Sequence, residues 1–474
     1  MSYVAHLRDF VSSPSFFGSY HWMGGVRNVP PLLDWLLYLP ALLVDPAHLF
    51  KIYPPVAYGC LTALVATYCV KVLNRGGRTV FAVSLAFSLS LIGLRLSWDL
   101  HKQMLSQILI IASLILVDSS ERDPRSLLKA VPLLLLAGLA SEFGAAISII
   151  ISAYTLLLHV RWLRGLDRAL ISAVYSATAV VSYALISWYL RAPIAGNLVL
   201  GYTPPVVTES LTFREWVYPY ILICLGPLIP FFLLGIERFW GRAKVSIATA
   251  STLVALSLSP LLTPLTDFSG GEWDRLLMSA SPFIVALAVP QLSLMRSRVA
   301  KIIFLVFLTL PGFLAVSTEG LNNLNSVLVS SLWRMPAGIV PTPGILEIYD
   351  QALEVAEEIS RLGKPVVTGP WVERFVHLYL RNPRPGDIIV VPRTTPEDVA
   401  CALLLNNLSR AYVITINKWG EVIEVVTSDS SCLEDLAVGS ETRVEVVVKE
   451  VSSRSFFKIL EVVITRNSTS ISGE

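Results

Sequence analysis

The segment RLSWDLHKQ, Arg95 to Gln103, sets the carboxylate of Asp99 between two cations, Arg95 and Lys102, with His101 and Trp98 alongside. A carboxylate so placed can take a proton from an attacking hydroxyl, and the cations and His101 can hold a phosphate or the charge that builds on one as it departs. The bland alternative is a solvated turn between two apolar stretches, with Trp98 as an interface anchor. A second cluster, TDFSGGEWDR, carries Asp267, Glu272 and Asp274 and a single cation, Arg275, directly before the apolar run Leu276 to Met295. At a cavity mouth Arg275 would bind a lipid phosphate; facing lipid it would only snorkel, and Glu272 and Asp274 would serve as charges at a helix start. Asp34 is the third acidic candidate, in the first turn of an apolar stretch that follows Pro30-Pro31; it too would suit a positive helix start.

These residues need elements to hold them, and most of the elements belong in lipid. Of 474 residues 54% are hydrophobic and 15% charged, and the mean hydropathy is +0.63, outside the range of water-soluble globular chains. Runs that span or nearly span a hydrocarbon core are Pro54 to Val70, Thr79 to Leu94, Met104 to Val117, Ala169 to Leu190, Val217 to Ile236, Val245 to Leu265, Leu276 to Met295 and Ile302 to Val316. Leu127 to Val160 would make one helix of about 50 Å, too long for a single crossing. Five loops carry three basic residues each, at 71–78, 122–129, 161–168, 238–244 and 296–301. The positive-inside rule gathers all five in the cytoplasm, so the chain must cross twice between Lys129 and Arg161, turning at Ser141-Glu142-Phe143-Gly144. Ten spans result, and both ends of the chain lie outside.

The expected layout is therefore a polytopic α-helical membrane protein of about ten transmembrane helices with a C-terminal extracytoplasmic α/β domain. Residues 1–53 form a first outer segment whose apolar stretch 32–44 is too short to span and suits a helix lying in the interface. Residues 54–317 form the transmembrane domain, and 318–474 the soluble domain, where the charge balance reverses: 23 Lys+Arg against 15 Asp+Glu up to Ser317, 14 against 20 beyond it. From residue 345 short alternating elements replace the long runs, with an amphipathic helix over Ile345 to Leu362 and Val- and Ile-rich strands toward the C-terminus. The domain has no phosphate loop, no GxSxG elbow and no His/Cys ligand cluster, and His377 reads as a packed or surface residue. Cys401 and Cys432 lie in it, as a pair or as two thiols, and two glycosylation sequons, at Asn407 and Asn467, suit export.

A non-spanning helix opened by Pro-Pro-Leu in a long first outer segment, an outer RxSWD segment, a late WDR-to-span junction and a C-terminal outer α/β domain together resemble GT-C-type glycosyltransferases, the group of oligosaccharyltransferase catalytic subunits and protein O-mannosyltransferases. The resemblance covers most of residues 1–317 in layout. It implies transfer of a sugar from a polyprenyl phosphate or pyrophosphate donor to a protein, glycan or lipid acceptor on the outer face of the cell membrane. It places Asp99 at the second acidic position and Arg275 where an arginine holds the lipid phosphate, with Asp34 an alternative base and Arg95, Lys102 and His101 around the donor. Membrane lipid is an expected partner and nucleic acid is not. A divalent metal, Mg²⁺ or Mn²⁺, would suit a point where two carboxylates meet, though no residue fixes its coordination. The family's first acidic motif has no counterpart: Ser2 to Arg8, SYVAHLR, resembles the run that follows that acid, and Asp9 comes after it, so the expectation is an enzyme shortened at its N-terminus or an inactive relative. The rival readings are a transporter or lipid flippase, against which stand the lack of an internal repeat and the charges at span ends, and a non-catalytic assembly protein of the cell surface.

Overall fold

The computed structural model of the protein describes residues 2–21, 26–90, 93–94, 96–97, 100–119, 123–160, 163–189, 225–262, 272–316, 346–369, 372–380, 382–384, 386–391, 394–416, 419–426, 443–454 and 456–466. Asp99, Arg95, Cys432 and the expected domain boundary at 318 lie outside these residues.

The first segment folds as helix α1 (Ser2–Ser12), a two-stranded antiparallel hairpin of β1 (Ser19–His21) and β2 (Val26–Asn28), and helix α2 (Leu32–Leu43). The expected interfacial helix is thus a helix, and it has two apolar faces. Leu33 and Leu37 are buried beside Asp34, while Leu36, Leu39 and Leu43 are exposed, an outward face that water would penalise and lipid would not. Asp45 then accepts a hydrogen bond from the Ala47 amide at 2.7 Å, with Pro46 in the first helical position, and so starts helix α3.

Among the described residues ten helices follow before residue 317: α3 (Pro46–Lys71), α4 (Gly77–Ser88), α5 (His101–Ser119), α6 (Pro124–Ala140), α7 (Glu142–Leu158), α8 (Gly165–Tyr189), α9 (Ile229–Phe239), α10 (Lys244–Leu262), α11 (Glu272–Ala288) and α12 (Arg298–Val316). Four stretches are long and apolar enough to cross a membrane by themselves: Pro46–Lys71, His101–Ser119, Gly165–Tyr189 and Arg275–Leu294, the last combining α11 with the 3₁₀ turns after it. Their inner faces form one large apolar core, and α12 turns Ile302, Ile303, Val306, Phe307 and Phe313 outward. One buried cap ties the bundle at its opposite end, where Asp118, at the end of α5, accepts from the Val245 and Ser246 amides at 3.1 Å each and so caps α10.

The stretch Leu127 to Val160 breaks at Ser141, between α6 and α7. Ser141 ends α6 and caps α7, its Oγ accepting from the Phe143 amide at 3.2 Å. The helices then run back against each other, with Ser148 Oγ donating to the Leu134 carbonyl at 2.9 Å. Gly144 makes this approach possible, because any Cβ there would collide with the Ala137 carbonyl and Ser106 Oγ.

In the last third, helix α13 (Leu346–Leu362) leads into β3 (Val366–Thr368), α14 (Glu373–Tyr379), β4 (Ile388–Val390), α15 (Pro396–Leu405), β5 (Arg410–Thr415), β6 (Val422–Val426), β7 (Arg443–Ser453) and β8 (Lys458–Arg466). The strands form one sheet in the order β4-β3-β5-β8-β7-β6, parallel where β3 meets β4 and β5 and antiparallel elsewhere. Alternation along β3 sends Val366 to the face covered by α13 and α14, and Val367 to the face covered by α15. The result is a small three-layer α/β unit, as the change of periodicity predicts.

Gly144→Ala should lower the thermal stability of the detergent-solubilised protein by about 1–3 kcal/mol, the usual cost of overpacking. Gly77→Ala, where an added Cβ meets nothing within 4 Å, should change it little; unfolding followed by intrinsic fluorescence compares the two.

Candidate active site

The first turn of α5 carries Lys102 into the fold rather than to its surface. Its ammonium donates to Asp34 Oδ2 and to the Pro30 carbonyl, both at 2.7 Å. His6 Nε2, from α1, lies 3.1 Å from the same carboxylate oxygen. All three side chains are buried, so an ion pair joins three elements in a place that water does not reach. Burial pushes the Asp34 carboxyl up, but the charges and hydrogen bonds of His6 and Lys102 more than offset it and bring it down to about 2. Burial also holds the His6 imidazole below its usual range, with Lys102 acting in the same sense.

Next to Lys102, Gln103 turns its amide to the backbone carbonyl of Arg275 at 2.8 Å and to Ser279 Oγ at 2.9 Å. The start of α11 is thereby seated on the start of α5, which brings Arg275 to the neighbourhood of Lys102 although 173 positions separate them. The Arg275 guanidinium lies 3.7 Å from Glu142 and over the Phe143 ring, 5.5 Å from its centroid, and is about one-third exposed. Arg27, on β2, adds a third cation: burial lowers its pKa, and Glu142, Glu373 and Arg275 are the charges that act on it. His101 sits in an aromatic pocket, stacked on Phe50 with centroids 5.5 Å apart and 4.7 Å from Tyr3.

The C-terminal α/β unit meets this region from the other side. His377 Nε2, on α14, donates to Asp9 Oδ2 at 2.8 Å, the Asn382 amide donates to Asp9 Oδ1 at 2.8 Å, and His21 Nε2 donates to Glu373 Oε1 at 2.6 Å. His377 is therefore packed, as its place in a helix suggested, but its partner is 368 residues away. Among the described residues one group of three metal-capable side chains comes together, His21, Glu373 and His377, all buried.

Of the residues singled out in the sequence, Asp34, Lys102 and Arg275 gather at one end of the bundle, His101 packs beside them, and Asp99 and Arg95 fall outside the described residues. Sequence reasoning missed His6, Arg27 and Glu142 as members of this cluster. The signal for them is a polar side chain within a run otherwise bound for lipid or core, as at Glu142 between two apolar helices, where an ionisable group is costly unless it has a task.

No family model matches the chain, and no curated protein matches it in sequence. Solved structures do. The chain is similar to ArnT from Cupriavidus metallidurans in the apo state, with a TM-score of 0.50 at 12% identity over 97% of this chain and 92% of that one. The chain shares the fold of that structure. ArnT bound to undecaprenyl phosphate aligns with a TM-score of 0.49 at 13% identity over 100% of this chain and 94% of that one. The archaeal oligosaccharyltransferase AglB from Archaeoglobus fulgidus, in complex with an inhibitory peptide and a dolichol-phosphate, aligns at 0.45 and 11% identity over 87% and 65%. In this fold the buried pair of Asp34 and Lys102 joins α2 to the start of the candidate span His101–Ser119.

Lys102→Met should destabilise the fold by about 3–5 kcal/mol because it leaves Asp34 buried and unpaired, whereas Asp34→Leu combined with Lys102→Met should restore much of the loss. Denaturation midpoints of the two variants test this. Acid should act the same way: a carboxyl and an imidazole whose pKa values fall on folding stabilise most above their unfolded values of 3.8 and 6.5, so stability declines as pH falls through those values toward about 2.

Proposed function

We propose that this protein transfers a sugar from a polyprenyl-phosphate or pyrophosphate donor to an acceptor at the outer face of the membrane. The observation that carries the reading is the convergence, within a GT-C fold, of Lys102, Arg275 and Arg27 at the bundle end beneath the soluble domain. Cations gathered where an apolar bundle meets a polar domain suit a ligand with an apolar tail and an anionic head. Arg275 faces the headgroup phosphate, since it keeps partial exposure while its backbone is fixed by Gln103. Asp34, held as a carboxylate at about 2, is too weak a base to take the acceptor proton near neutral pH; it positions Lys102. Asp99 is the base, and the leaving phosphate is stabilised by the surrounding cations. The acceptor is a protein, glycan or lipid.

The same reading places the soluble domain and the first segment outside and the five basic loops inside, with ten crossings. Support comes from the loop charges, from the helix break at Ser141 and from the disulfide formed by Cys401, a bond that persists in oxidising compartments. Single cysteines at Gly76 and Gly165 should react only with reagents that reach the cytoplasm, and cysteines at Gly201 and Gly270 only from outside. Labelling of positions 76 and 270 from one side would overturn the ten-span topology.

For the chemistry, the full-length protein in lipid nanodiscs would be given a radiolabelled polyprenyl-phosphate sugar and a membrane extract as acceptor source. Asp99→Asn should abolish transfer while the donor still binds. Arg275→Ala should weaken donor binding by about 10- to 150-fold, the equivalent of about 1.5–3 kcal/mol for one charge-assisted bond to a phosphate. Undiminished donor affinity in the arginine variant, with transfer intact in the aspartate variant, would dismiss the proposal.

A further inference from the structure

We infer that His21, Glu373 and His377 form a zinc-class transition-metal site that clamps the soluble domain onto the first outer segment. The three side chains come from two regions of the chain, His21 from β1 and the other two from α14. One ligand atom from each lies within 4.8 Å of the others, and all three residues are buried. Two imidazoles and one carboxylate are a ligand set that zinc accepts, with bonds of about 2.0–2.2 Å and a fourth position for water. Glu373 and His377 are four positions apart on α14, the spacing that puts two side chains on one face of a helix. The imidazole rings of His21 and His377 meet edge to face with centroids 4.6 Å apart.

A metal-free account of the same residues leaves a defect. His21 Nε2 is bonded to Glu373, but its Nδ1 is buried with no hydrogen-bond partner among the described residues. A buried ring nitrogen without a partner is costly in either protonation state. An ion that took this nitrogen as its ligand would remove the defect. Asp9 lies just outside the triad, 2.8 Å from His377 Nε2. It supplies the carboxylate partner that typically orients a metal-bound imidazole and raises its basicity.

The site is remote from the sugar-transfer chemistry in role, because none of its three ligands is placed on donor or acceptor. Its effect is mechanical: the hairpin that bears His21 also bears Arg27, and α1 bears both Asp9 and His6. The test uses the full-length protein purified without a polyhistidine tag, and reads metal content and zinc affinity independently of any transfer assay. The expected result is one zinc per chain by elemental analysis, removed by chelator and restored by dialysis against zinc chloride. Hydrogen exchange in 19–21 and 373–379 should rise when zinc is removed. Glu373→Gln, which keeps shape and a hydrogen bond to His21, should abolish stoichiometric zinc, and Asp9→Asn should weaken its affinity by about 10- to 100-fold. His48→Ala, on an exposed surface, should leave it unchanged. A folded wild-type chain that takes up no zinc on dialysis, or a folded Glu373→Gln variant that binds it as tightly as wild type, would overturn the site.

Discussion

Lys102 starts a helix whose neighbours leave no room for a solvated charge, and its ammonium is buried together with the carboxylate that answers it. Taken singly, Asp34 or Lys102 in that position would cost several kcal/mol. Joined at 2.7 Å, with the Pro30 carbonyl as a second acceptor, they become the reason for the surrounding arrangement. The pair fixes the interfacial helix α2 to the top of α5. His6 adds α1 to the same carboxylate, and Gln103, one residue on, seats α11 and with it Arg275. A buried ion pair of this kind contributes less to net stability than to the choice of one arrangement over others, and here that choice determines where the cations meet.

The soluble domain extends the same logic. Its contact with the first segment is a polar seam of buried histidines and carboxylates, His377 with Asp9 and His21 with Glu373. Such a seam is directional. Apolar surfaces slide at little cost, whereas hydrogen-bonded pairs lose their partners when displaced by an ångström or two. The domain is therefore registered on the bundle end, and the hairpin carrying Arg27 is trapped between the two.

Much of this was legible in the sequence, for reasons that differ by element. The helix α2, the break at Ser141 and the β-rich end of the α/β unit follow from local rules: an apolar run opened by Pro-Pro, a run too long for one crossing, and a change of period from long runs to alternation. Lys102 was visible as an ionisable group near a span end and Asp34 as a charge in the first turn of a helix too short to span, but their pairing was not. Asp34 in a first helical turn looks like an ordinary helix-start charge, and nothing local says that a lysine 68 positions later is its partner. His21 and His377 were hidden for the same reason, since a ligand set split between β1 and α14 leaves no spacing to recognise. The absence of a His/Cys cluster inside the soluble domain is true of that domain alone.

The distance along the chain between Asp9 and His377 has a consequence for synthesis. Asp9 is made first, and its histidine follows 368 positions later. At about 5–20 residues per second that interval is roughly 20–70 s, during which the carboxylate of Asp9 has no native partner from the soluble domain. The first segment must stay hydrated through that time, and its helix α1 can be locked in place only after the last third of the chain has been made. A chain interrupted before α14 would therefore leave α1 without this seal and mark itself, to quality control, as unfinished.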